Sequence, residues 1–191
     1  KHAGMIYASN LCHEIAQNVG FTDLDEEIIQ DDGSIVTRTK AGDMVTCNLN
    51  SINLGQTSDE ELEENIALQV RMLDNVITIN QFPVPETRVT SEKYRAIGLG
   101  TSGYHHYLVK HKVQWESDAH LEIADTLFEN IAYAAIKASM ELAKEKGAYP
   151  AFKGSQWETG EYFERRGYTS ERWQQLRADV AKYGIRNGYL M

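Results

Sequence analysis

Ser9-Asn10-Leu11-Cys12-His13-Glu14 sets an amide, a thiol and a carboxylate on alternate positions 10, 12 and 14. Side chains two apart share a face only where the backbone is extended; a helix would group Asn10 with Glu14 and turn Cys12 away. For these three to act together, residues 10 to 14 must be a loop or a strand. A carboxylate at Glu14 can then serve as a general base. The amide of Asn10 can donate and accept hydrogen bonds, orienting hydroxyl groups without changing charge. Cys12 is either a redox-capable thiol or a small apolar side chain buried in a turn beside solvated neighbours. The triplet alone leaves both readings open. His13 points to the opposite side of an extended loop and reads as a packing or surface residue. Thirty-five positions after Cys12 comes the second cysteine, in Cys47-Asn48-Leu49-Asn50-Ser51-Ile52-Asn53-Leu54-Gly55.

Elements that could position these groups follow from periodicity. Asp23 to Gly33 is acidic and turn-rich, Ser34 to Arg38 has the β-branched content of a short strand, and Met44 to Leu49 reads as a second strand carrying Cys47. Ser58-Asp59-Glu60-Glu61 has capping-box form, and Leu62, Ile66, Val70, Leu73 and Ile77 recur at helical spacing, so the pattern predicts a helix from 58 to about 80, ended by Pro83 and Pro85. Tyr94 to Leu99 reads as a short strand or extended turn, and Tyr104 to His111 as a short helix. After Ser117, Leu121, Ala124, Phe128, Ile131, Ala135, Ala138 and Leu142 predict a helix of about two dozen residues closed by Gly147. Ser170 starts a last helix with Trp173, Leu176, Val180 and Tyr183 on one face; Gly184 closes it, and Ile185 onward begins a strand. Strands alternating with long helices predict an α/β layer architecture.

The sequence has 191 residues, 42% of them hydrophobic, enough for a sizeable core. With 28 acidic and 19 basic residues, its net charge of −9 supplies no basic stripe for nucleic acid. Two cysteines are too few for a secreted disulfide scaffold, and no apolar run is long enough to span a bilayer, so no membrane contact and a cytoplasmic setting are expected. The sequence opens at Lys1-His2 without Met and stops in the apolar run Tyr189-Leu190-Met191. The expectation is that residues 1–191 are one helix-rich fragment of a larger α/β domain.

The triplet, taken with several ordered blocks, resembles the large, catalytic subunit of ribonucleotide reductase. Cys47-Asn48-Leu49 with Ser51-Ile52-Asn53-Leu54, Arg95 to Gly100, Glu141 to Pro150 and Tyr183 to Gly188 match further family blocks in the expected order. The resemblance implies part of a ten-stranded α/β barrel with a central catalytic loop. It implies that Cys12 becomes a thiyl radical and abstracts hydrogen from C3′ of the ribose, that Glu14 is the base at the 3′-OH, and that Asn10 orients the sugar. Ser9, Asn10, Leu11, Cys12 and Glu14 would contact the ribonucleotide substrate. Cys47 resembles one of the family's two reducing cysteines, which end as a disulfide re-reduced by thiol exchange. The implied partners are the remaining segments of the large subunit, a radical-generating small metal subunit in class I and a thioredoxin- or glutaredoxin-like reductant. Class II members use adenosylcobalamin instead; class I is the expectation. No cofactor or metal bound by this fragment, and no activity of the fragment alone, are expected.

Two further patterns compete. Gly98-Leu99-Gly100-Thr101-Ser102-Gly103 fits G-x-G-x-x-G and offers an alternative reading as a dinucleotide-binding oxidoreductase domain, with Glu116 or Asp118 as ribose ligand. The preceding run is short and carries Lys93 and Arg95, so close backbone packing is the preferred explanation for the glycines. His105, His106 and His111 lack cysteine or carboxylate partners at finger-like spacing, which argues against structural zinc.

Overall fold

Two long helices form the frame because their apolar positions recur every three or four residues. The computed structural model describes residues 5–7, 9, 13 and 15–190. Helix α1 spans Leu62–Ile79 and buries Leu62, Ile66, Val70, Leu73 and Ile77. The Ser58 hydroxyl donates to the Glu61 carboxylate at 3.0 Å and accepts weakly from the Glu61 N–H at 3.4 Å, so the capping box forms a turn ahead of the helix rather than its first residues. Helix α4 spans Asp118–Lys146; the Ser117 side chain accepts from the His120 N–H at 3.2 Å, and Gly147 ends it at φ +85°. Its buried face is Leu127, Ile131, Ala134, Ala135, Ala138 and Leu142. Leu121 and Phe128, which fit the same period, are exposed. The alanines let α1 lie close against α4, and each fully buried Leu or Ile at this contact contributes about 1.5–3 kcal/mol.

Against α1 packs a parallel strand pair. Strands β3 (Leu49–Asn53) and β4 (Gly98–Ser102) pair in register from Leu49↔Gly98 to Asn53↔Ser102. A parallel pair needs a crossover, supplied by α1 and by α2 (Pro85–Tyr94). On the far side of β4, the Ile97 and Leu99 N–H groups donate to the carbonyls of Tyr189 and Leu190, both at 2.9 Å. The strand expected from Ile185 is thus reduced to an extended contact at 189–190. Residues 185 to 188 hydrogen-bond elsewhere: the Ile185 carbonyl accepts from Tyr149, Arg186 donates to Ser139, and Gly188 donates to Tyr94. Helices α3 (Tyr104–Lys110), α5 (Gln156–Thr159), α6 (Glu161–Arg166) and α7 (Glu171–Tyr183) complete the chain. Trp173 of α7 is buried, stacks on Tyr168 at 3.8 Å and donates its indole N–H to Glu129 at 2.8 Å.

Several expectations change. The strand at Met44–Leu49 is not formed: β3 starts at Leu49, and Cys47 precedes it. The backbone here is occupied by α2, whose Thr90 hydroxyl accepts from the Met44 N–H at 2.7 Å, while Thr46 and Ser91 hydroxyls meet at 3.3 Å. Pro85 opens a helix instead of only closing one, since its missing N–H is harmless at the first helical position. The acidic stretch after Asp23 is strand β1 (Asp23–Ile29), paired antiparallel with β2 (Ile35–Lys40) across a turn at Gly33, φ +83°. Both strands are exposed along their whole length, which is why acidic side chains are tolerated on β1. Among the described residues, no helix is long and apolar enough to cross a membrane.

Candidate functional site

The sequence-predicted Asn10, Leu11, Cys12 and Glu14 lie outside the described residues; residues 5–7, 9, 13 and 15–21 near them in sequence are described. The Ser9 hydroxyl donates to the Ile15 carbonyl at 2.6 Å, the Val19 N–H donates to the Met5 carbonyl at 2.9 Å, and the rings of Tyr7 and Phe21 are 5.0 Å apart. Two stems, residues 5–7 with 9 and residues 15–21, therefore run against each other on either side of the triplet in sequence. His13 is exposed, at φ +63°.

Cys47 is exposed at the rim of a cleft of about 60 Å³ lined by Gln17, Asn48, Val76, Ile77, Thr90 and Ala96, among others. Asn48 fixes the segment: its side-chain N–H donates to the Leu73 carbonyl at 2.9 Å, and its own carbonyl accepts from Gly98 at 2.9 Å. Gln17, 6% exposed, also lines an adjoining cleft of about 30 Å³ with Ile15, Ala16, Leu49, Gly98 and Tyr189. The stem after the triplet and the Cys47 segment thus converge where β3 and β4 begin. Neither cleft has the roughly 300 Å³ or more usual for a small-molecule site.

Beside this junction is an ionic centre that sequence reasoning missed. Asp74, on the buried face of α1, is fully buried. It accepts from Arg95 at 2.7 Å, Arg186 at 3.2 Å, Lys146 at 3.4 Å and the Asn187 amide at 3.3 Å. Asn187 is itself fully buried, donating to the Arg95 carbonyl at 3.0 Å and accepting from the Ser139 hydroxyl at 2.8 Å. Burial alone would raise the Asp74 carboxyl. The hydrogen bond and charge of Arg95, with the charges of Arg186 and Lys146, outweigh it and hold the group below the ordinary aspartate range. The available signal was a lone carboxylate at position 74 between Val70 and Ile77 on an otherwise apolar stripe, where an unpaired charge is not tolerated.

The glycine run does not make a dinucleotide loop. Gly98 to Ser102 is strand β4 itself, whereas the fingerprint needs its glycines in the turn between strand and helix. The glycines are explained by close approach to β3: a Cβ at Gly98 would collide with the Leu49 side chain, one at Gly100 would sit 3.1 Å from the Ser51 hydroxyl, and one at Gly103 would sit 2.5 Å from the Asn53 side-chain oxygen. Gly103 also adopts φ +68°. Gly103→Ala is expected to destabilise the chain by about 1–2 kcal/mol from the left-handed backbone alone, with further loss if Asn53 is displaced; a urea midpoint equal to wild type refutes this reading.

A roomier cavity, about 510 Å³, lies away from Cys47 between α4 and the 149–166 segment, lined by Tyr149, Trp157, Tyr162, Lys153 and Arg166 among others. Of the sequence-predicted site residues that are described, neither Ser9 nor Cys47 lines it. Among the described residues no group of His, Cys, Asp and Glu could hold a metal ion.

In this α/β chain a cysteine-bearing segment thus meets the stem of the Asn-x-Cys-x-Glu triplet. The chain belongs to the ribonucleotide reductase barrel-domain family, whose model matches residues 1–191. It is 53% identical over 196 residues to the ribonucleoside-diphosphate reductase subunit alpha of Treponema pallidum, covering all of this chain and 23% of that protein. It is 35% identical over 240 residues to the subunit alpha of Helicobacter pylori, covering all of this chain and 30% of the relative. The large chain of Neurospora crassa is 32% identical over 203 residues, with 100% and 20% covered. The chain thus spans a quarter or so of the length of the relatives it matches.

Proposed function

We propose that this chain forms part of the catalytic barrel of a class I ribonucleoside-diphosphate reductase, a cytoplasmic enzyme that converts ribonucleotides to deoxyribonucleotides. The observation that carries the reading is the match over the whole chain, at 53% identity, to a protein named as subunit alpha of that enzyme. In this reading residues 1–191 contribute strands and helices to a ten-stranded barrel, and the remainder of the large subunit supplies the rest. A metal-containing small subunit supplies the oxidising equivalent that converts the Cys12 thiol to a thiyl radical.

Cys12 then takes the hydrogen atom from C3′, becoming S–H and leaving the radical on the sugar. Glu14 removes the 3′-OH proton, which makes that radical electron-rich enough to expel the 2′-OH, and the leaving oxygen departs as water. Asn10 holds the hydroxyls in the orientation this requires. Cys47 and a second thiol outside this chain give up two electrons and two protons and end as a disulfide, and the Cys12 S–H returns a hydrogen atom to C3′. The balance is ribonucleotide plus dithiol to deoxyribonucleotide, disulfide and water. A thioredoxin-type protein reopens the disulfide by exchange.

The test is a chimera: residues 1–191 replace the matching stretch of the Treponema pallidum large subunit, assayed with its small subunit and a dithiol reductant. Deoxynucleoside diphosphate formation within about tenfold of the parent is expected. A well-folded chimera that binds the small subunit but forms no product overturns the proposal.

A further inference from the structure

We infer that Asn18 is the positioning residue for the Asn10 to Glu14 triplet, acting through a buried clasp with Tyr94, Tyr189 and Asp43. This rests on the catalytic reading of the triplet given above. Asn18 lies four positions after Glu14 and is 6% exposed. Its side chain is engaged at both ends: the amide N–H group donates to the Tyr94 hydroxyl at 2.7 Å and to the Asp43 carboxylate at 3.2 Å, and the amide oxygen accepts from the Tyr189 hydroxyl at 2.7 Å. Asp43 also accepts from the Gly20 N–H at 3.0 Å, the Lys93 ammonium at 3.0 Å and the Tyr94 hydroxyl at 3.4 Å.

These partners come from three separate places. Tyr94 ends α2, Tyr189 lies on the extended segment along β4, and Asp43 follows the β1–β2 hairpin. A single amide therefore ties the stem that leaves the triplet to the three pieces of chain that bound the Cys47 end of the sheet. A buried amide with three short hydrogen bonds has one orientation, and an apolar replacement of similar size would leave two hydroxyls and a carboxylate without it. Burial raises the Tyr189 hydroxyl pKa, so it remains a donor at neutral pH. The backbone is seated as closely: a Cβ at Gly42 would collide with the Gly20 carbonyl, while the Asp43 N–H donates to that same carbonyl at 2.8 Å. The stem has no room to shift toward residue 42.

What the clasp controls is placement. A displacement of about 1 Å at a reacting group lowers a rate by on the order of 100-fold without abolishing binding. In the intact large subunit, Asn18→Leu is expected to lower kcat on the order of 100-fold while the nucleotide KM changes much less. Tyr189→Phe, which removes one hydroxyl and leaves the ring contact, is expected to give a smaller loss in the same direction and serves if Asn18→Leu folds poorly. Alongside, amide hydrogen exchange is measured on the same proteins: the N–H groups of Val19 and Gly20 are expected to exchange at least tenfold faster in the variants, with α4 unchanged. Wild-type kcat in either variant, or faster exchange spread equally over α4, overturns the inference. Activity of a Cys12→Ser subunit would instead overturn the reading of the triplet, and the exchange result would stand apart from it.

Discussion

In the intact large subunit, Cys12→Ser is expected to abolish both turnover and release of a tritium label from the 3′ position of substrate, whereas Cys47→Ser blocks multiple turnover on a dithiol reductant and still permits label release. The two substitutions are chemically alike, each exchanging one sulfur for oxygen, so the comparison turns on the role of each thiol. A serine O–H bond is too strong to be opened to a radical under the same conditions, so in the proposed mechanism the first change removes the atom that starts the reaction. The second, in the same mechanism, removes an electron donor needed only after the C3′–H bond has been broken. The exposed setting of Cys47, at the rim of a cleft walled by α1 and α2, allows serine there without a buried polar group left unpaired. Label release from Cys12→Ser, or full multiple turnover by Cys47→Ser on a dithiol, would show that the roles are assigned wrongly.

How far the sequence carried depends on whether a feature is local. The long helices were legible because Ile66, Val70, Leu73 and Ile77, or Ile131, Ala135, Ala138 and Leu142, repeat at the helical period and are flanked by Ser117 and Gly147 as caps. Positions 121 and 128 fit that period and are nevertheless exposed, because the period fixes a stripe and not the partner that covers each part of it. The residues proposed for chemistry could be singled out only with the ordered family blocks around them, since an amide, a thiol and a carboxylate on alternate positions leave a catalytic and a packing reading open by themselves. Their surroundings were not legible. Val45 and Thr46 suit a strand, yet the Met44 N–H before them is taken by Thr90, and the Thr46 hydroxyl by Ser91, of a helix that Pro85 concealed. Asn18 looks like any polar loop residue until Tyr94 and Tyr189, 76 and 171 positions away, are seen to close on it. Contacts of that separation leave no periodic trace.

The ionic centre around Asp74 shows the same limit and carries the second large effect. Its partners Arg95, Lys146 and Arg186 lie 21, 72 and 112 positions along the chain. Asp74→Ala is expected to destabilise the chain by about 3–5 kcal/mol, because removing one partner leaves the Arg95 guanidinium buried without its counter-charge; the side chains are 0% and 7% exposed. Replacing both, Asp74→Leu with Arg95→Met, is expected to lose less than Asp74→Ala alone, since apolar groups of similar volume avoid the desolvated charge. The pH dependence has a definite sign. The carboxyl is held below its ordinary value in the folded chain, so the unfolded state takes up the proton first as pH falls. Its stabilisation is complete above the unfolded pKa of about 4 and is lost as pH drops toward and through the folded value. Urea unfolding from pH 7 to pH 3 should therefore show a steeper acid loss for wild type than for Asp74→Asn, whose amide cannot titrate. Equal acid slopes, or a neutral-pH loss under about 1 kcal/mol for Asp74→Ala, well below the range expected for a broken buried pair, would mean that the cations around Asp74 are held by the rest of the fold and do not need its charge.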